Sequence, residues 1–144
     1  MKTRKALHIG AVLVTFVMGI AISIFQFSSR TFRLVSQDGV SGPGLGVSGK
    51  GRGMATSGWV SSDGLTVEQV VVGYLSVGDA RRDFELERSR AERMIQTVDA
   101  SRIVGKFGTT YKVITLKGDQ ITYISSPHLE AALAFERSWW ELSW

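Results

Sequence analysis

The chain has 144 residues, a formal net charge of +4 and no cysteine, and 44% of its residues are hydrophobic. That size leaves room for one small core beside any anchor, and the missing cysteines exclude a disulfide framework and a thiol nucleophile. From Trp59 onward ten basic residues face twelve acidic ones; the positive charge lies ahead of the folded part, where nucleic-acid binding would not put it.

After a basic flank over 1–5 containing Lys2, Arg4 and Lys5, residues 6–27 run for 22 positions without a charged side chain. As a helix this stretch would be about 33 Å long against a hydrocarbon core of about 30 Å, which reads as a transmembrane helix. A cleaved signal peptide is the alternative. The apolar run exceeds the usual length for one, and Phe25-Gln26-Phe27-Ser28-Ser29 lacks a small-x-small cleavage pattern, so an uncleaved signal anchor is expected. Three basic residues before the run against Arg30 and Arg33 after it lean toward a cytoplasmic N-terminus and an extracytoplasmic remainder at the cell membrane.

Ala11, Thr15, Gly19 and Ser23 recur every four residues and form a row of small side chains, the pattern that lets helix backbones approach in lipid. The row predicts packing against integral membrane subunits. His8 sits near the basic end, where an imidazole can reach headgroups and water, and reads as an interfacial residue.

Residues 28–58 read as a juxtamembrane segment and glycine-rich tether, with nine glycines over 39–64. A free chain of that composition would reach about 25 to 30 Å. Within it, Gly44-Leu45-Gly46-Val47-Ser48-Gly49-Lys50 satisfies the spacing of a phosphate loop. The next residue is Gly51, where a magnesium-binding Ser or Thr should stand, and no helix follows, so a chance match is expected.

A small α+β domain is expected over 59–144. Thr66-Val67-Glu68-Gln69 resembles a capping box leading into a helix, while Val70-Val71-Val72 argues for a strand. After Gly78-Asp79 the spacing predicts a helix over 80–98, with Ala80, Phe84, Ala91, Ile95 and Val98 on its apolar face. Alternation over 109–117 and 121–125 about Gly118-Asp119 predicts a β-hairpin, which needs a further strand from 30–36 or 58–61 or helix cover. Ser126-Pro127 then opens a last helix. Phe135, Trp139, Trp140 and Trp144 on that helix are the candidate partner interface, the alternatives being that these rings complete the core of the small domain or rest at the lipid interface.

The fold class predicted is therefore a single N-terminal transmembrane helix plus a small α+β soluble domain, with helices and a β-hairpin or small antiparallel sheet. No catalytic residue, cofactor site or metal site is expected: His128, the one histidine beyond the span, would need Asp119 and a nucleophile on a strained elbow that no motif supplies. The functional expectation is a non-catalytic accessory or scaffold subunit of a larger membrane assembly, energy-converting or transport-related. Its partners would be integral membrane subunits and the lipid bilayer, with no nucleic acid or small-molecule substrate. The alternative is a tethered extracytoplasmic module that binds a soluble or envelope partner.

Overall fold

Strand-forming residues govern the fold, including in segments that read differently in isolation. The computed structural model describes residues 30–142. Among them, β1 (Phe32–Leu45), β2 (Gly51–Ser61) and β3 (Thr66–Tyr74) form a meander that leads into α1 (Val77–Arg90). Four further strands follow, β4 (Arg93–Asp99), β5 (Arg102–Phe107), β6 (Thr110–Lys117) and β7 (Gln120–Ser126), and then α2 (Leu129–Leu142). The strands make one antiparallel sheet in the order β1-β2-β3-β7-β6-β5-β4.

This overturns the expected fold class. The domain is mostly β, and the hairpin predicted over 109–125 is the β6–β7 pair, flanked by β5 and β3 rather than by 30–36 or 58–61. Among the described residues no helix is long and apolar enough to cross a membrane. The span expected over 6–27, with His8, Ala11, Thr15, Gly19 and Ser23, lies outside the described residues.

The glycine-rich segment is not a free tether but most of the β1–β2 hairpin, paired from Phe32 opposite Ser61 to Leu45 opposite Gly51. Its glycines answer to crowding. A Cβ on Gly51 would stand 2.8 Å from both the Leu45 carbonyl oxygen and a Val72 methyl, and one on Gly58 would stand 2.5 Å from the Ser36 hydroxyl. Glycine here lets two strands and a core residue close up, so low side-chain volume does not signal low order.

The helix predicted over 80–98 is divided. Ser76 caps α1, its hydroxyl accepting from the Asp79 N–H at 3.1 Å, and the helix ends at Ala91 in extended backbone. Arg93–Asp99 then pairs with β5. The segment is rich in β-branched residues, which favour extended backbone, and pairing of Arg93, Met94, Gln96, Thr97 and Asp99 with β5 overrides a helical period that ran on by coincidence. The Thr66 segment likewise resolves as strand, with Val67, Gln69, Val72 and Tyr74 buried.

Period-two alternation sends one set of side chains to each face. On one face Val72, Tyr74, Ile103, Ile114, Leu116, Ile121 and Tyr123 pack under Ala80 and Phe84 of α1. On the other Val67, Val104, Val113 and Ile124 pack under Ala131, Ala132 and Phe135 of α2. Both helices rest on β3, β7 and β6.

Of the aromatic residues read as core or partner interface, Phe135 and Trp139 belong to this second core. Phe135 is 2% exposed, meets Phe32 edge-on at 5.0 Å and Trp59 at 5.2 Å, and stacks with Trp139 at 6.1 Å. Trp140 is half-buried with the Lys117 ammonium 5.4 Å above its ring, and Trp144 lies outside the described residues. The apolar stripe of this helix had a sheet to cover.

One ion pair fixes α2 on its face. The Arg102 guanidinium of β5 donates through both nitrogens to Glu136, Nε and Nη2 each at 2.6 Å, and the Glu136 side chain is 8% exposed. Removing one member of such a buried pair strands the other, so Glu136→Ala should lower unfolding free energy by about 3 to 5 kcal/mol, read by urea titration.

Candidate functional site

Because α1 crosses only part of its face, the rest of that face is open between the β1–β2 loop and the end of α1. A groove of about 530 Å³ lies there, with Val47, Met54, Val70, Val72 and Tyr123 as its apolar lining. A second depression continues it toward Trp59 and Pro127, sharing Glu68, Thr110 and Ser125. The volume falls within the usual range for ligand and peptide sites.

Register sets the polar pattern of the floor. Gly58 pairs with Glu68, Glu68 with Ser125, Ser125 with Lys112, and Lys112 with Gly105, so these side chains form one row across the sheet. At about 4.8 Å per strand, the backbones of Glu68 and Lys112 stand about 10 Å apart with Ser125 between them. Glycine stands at each end of the row, where Ser36 closes on Gly58 and Phe107 and Ala91 close on Gly105. Lys112 leans over the Phe107 ring at 4.9 Å, and Arg90 from the last turn of α1 lines the same groove.

Beside the groove lies a cluster that amphipathic reasoning did not find. Asp83 and Glu87, one turn apart on α1, point into the sheet and are 0% and 6% exposed. Asp83 accepts from the Tyr74 hydroxyl at 2.8 Å, and both of its oxygens accept from the Ser48 N–H at 3.2 Å. Burial, then the hydrogen bond to Asp83, pushes the Tyr74 phenol well above its ordinary value. Burial, reinforced by the Glu87 carboxylate, does the same to Tyr123. The Tyr123 hydroxyl is buried and finds no acceptor in good geometry.

The phosphate-loop lookalike has its explanation here. An amide of Gly44–Lys50 does meet an anion, but the anion is Asp83 of the same chain. Gly46 has φ +78, and a Cβ there would stand 2.7 Å from Asp83 Oδ2 and from the Tyr74 hydroxyl. The loop folds down onto the buried carboxylate and becomes one wall of the groove.

Other candidates stay apart. His128 is exposed just before α2, with Nδ1 3.9 Å from Glu130, while Asp119 lies in the turn at the opposite end of β7, about 20 Å of strand away. Among the described residues no group of three or more metal-ligating side chains gathers. The Glu68–Ser125–Lys112 row was hidden in the sequence because its members belong to three strands whose register only pairing defines. The chain matches no protein-family model, no curated protein and no solved structure.

Two stability tests follow from this geometry. Gly46→Ala should destabilise by about 2 kcal/mol or more, from the left-handed backbone and the contact with Asp83 together, read by urea unfolding. Tyr74→Phe should cost about 1 to 3 kcal/mol by taking a donor from a buried carboxylate, whereas Tyr123→Phe should be neutral or stabilising. The raised phenols also set an alkaline limit. Their neutral form is favoured in the fold, so their contribution is intact below about pH 10 and declines as pH rises above it, where the unfolded chain gives up protons that the fold retains. Thermal melts from pH 8 to 12 should show the loss, and Tyr74→Phe should flatten it.

Proposed function

We propose that this chain is a non-catalytic binding module, an accessory or scaffold subunit that holds a segment of a protein partner in the open groove of the α1 face. The observation that carries the reading is the Glu68–Ser125–Lys112 row beside an apolar floor of Val70, Val72 and Met54. Such a floor gives a partner segment apolar area to bury, while opposite charges carried two strands apart select its register. Both charges stand on strands in the middle of the sheet, so the site is preorganised and little ordering entropy is lost on binding.

The buried Asp83–Tyr74 pair has a positional role in this reading. It holds the Gly44–Lys50 loop as a wall, and no reacting group is required of it. The scaffold function would consist in keeping a partner at a defined place on a rigid sheet.

Native extraction, native-gel separation and mass spectrometry of the full chain test the reading. A stoichiometric protein partner should co-migrate with the wild type. Val70→Asp, which puts a charge on the groove floor, should abolish co-migration while the melting profile persists, and the exposed helix variant Glu85→Lys should keep it. Migration of the wild type without another protein, or retention of the partner by Val70→Asp, would remove the proposal.

A further inference from the structure

Among the described residues the sheet has two free edges. At one of them stands β1, the longest strand, exposed over most of its 14 residues, with nothing paired to its outer side among the described residues. Leu34, Val35 and Val40 are 42%, 52% and 53% exposed. A long edge of this kind is a template for another strand unless something blocks it, and the apparent block is the bulge at Val35, where Leu34 pairs with Trp59 and Ser36 with the adjacent Gly58.

The bulge has a specific consequence for pairing with a second copy. Two antiparallel copies related by a dyad normal to the sheet place opposite one another only residues that share a face. Arg33 and Asp38 both lie on the α1 face, because the extra residue Val35 between them shifts the alternation by one. A dyad at the bulge therefore sets Arg33 opposite Asp38 of the second copy, twice. The same register sets Leu34 opposite Gln37 and Phe32 opposite Gly39, all four on the α2 face.

Backbone direction agrees with that register. The Ser62 N–H donates to the Thr31 carbonyl at 2.8 Å, which fixes the alternation of groups along β2. Counting from Ser62, the residues of β2 that turn away from β1 are Ser61, Trp59, Ser57 and Ala55, and their partners on β1 are Phe32, Leu34, Gln37 and Gly39. Those four thus present their N–H and C=O groups to the free edge. They are the residues that the dyad register brings together, and they would exchange about eight backbone hydrogen bonds. Strand geometry, side-chain face and charge all select the same alignment.

The geometry points to a homodimer formed by antiparallel pairing of β1 with β1 of a second copy about the Val35 bulge, joining two seven-stranded sheets into one. Backbone hydrogen bonds supply the adhesion, and the Arg33–Asp38 pairs fix the register. The bulge rules out the neighbouring registers, which would oppose residues of different faces. The dyad leaves both grooves on the same side of the continuous sheet.

Charge exchange tests the pairing. Native mass spectrometry and analytical ultracentrifugation of the full chain at micromolar concentration should give a dimer. Arg33→Asp or Asp38→Arg alone should raise its dissociation constant about tenfold by setting like charges opposite each other at two places. The double variant Arg33→Asp/Asp38→Arg should return it to near the wild-type value, which a merely local effect of either residue would not do. Circular dichroism confirms that each variant is folded, and both positions are exposed enough to tolerate the change. A wild-type monomer, a dimer indifferent to the single variants, or a double variant no better than the singles would overturn the assignment.

Discussion

A helix of 14 residues is about 21 Å long, and seven strands side by side span about 29 Å, so one such helix on each face cannot cover this sheet. Both helices sit over β3, β7 and β6, the strands whose side chains need most cover. What remains is bare by geometry: most of β1, the β4 edge, and the half of the α1 face that holds the groove. The candidate surfaces of this protein are the parts of the sheet that its helices are too short to reach.

That constraint also accounts for the polar content of the interior. Where α1 meets the sheet it brings Asp83 and Glu87 inward along with Ala80 and Phe84. A carboxylate with no exposure needs donors, and Tyr74 and the Ser48 amide provide them. The cost of burying Asp83 is thereby linked to the order of a loop 35 residues earlier in the chain. On the opposite face Arg102 and Glu136 make a comparable connection between β5 and α2. Each helix is thus tied to its surroundings by a buried carboxylate, Asp83 on α1 and Glu136 on α2.

Legibility in the sequence varied with the range of the interaction that decided each element. The β6–β7 hairpin and α2 were readable because a Gly-Asp turn is a local signal and the run after Pro127 is rich in helix formers, although the helix begins at Leu129 and the expected Ser126-Pro127 cap is the end of β7 instead. The β1–β2 hairpin was not, because its glycines resemble a linker until Val72 and Ser36 are seen crowding them. Ile95 and its neighbours carried a helical period and a β-branched composition at once, and β5 decided between them. The aromatic stripe of α2 was visible as a stripe, but whether Phe135 and Trp139 would face a partner or their own sheet depended on strands that had not been foreseen. Nothing local marked the groove.

The sequence by itself determined the Gly118-Asp119 turn, the final helix and the absence of a thiol, since each follows from the chemistry of a few adjacent residues. Only the tertiary structure decided that Asp83 would be buried, that Glu68 and Lys112 would share a row, and that Val35 would bring Arg33 and Asp38 to one face. These depend on strand register, and register is a relation between segments distant in the chain. A shift of one residue exchanges every side chain between faces while leaving composition and periodicity unchanged.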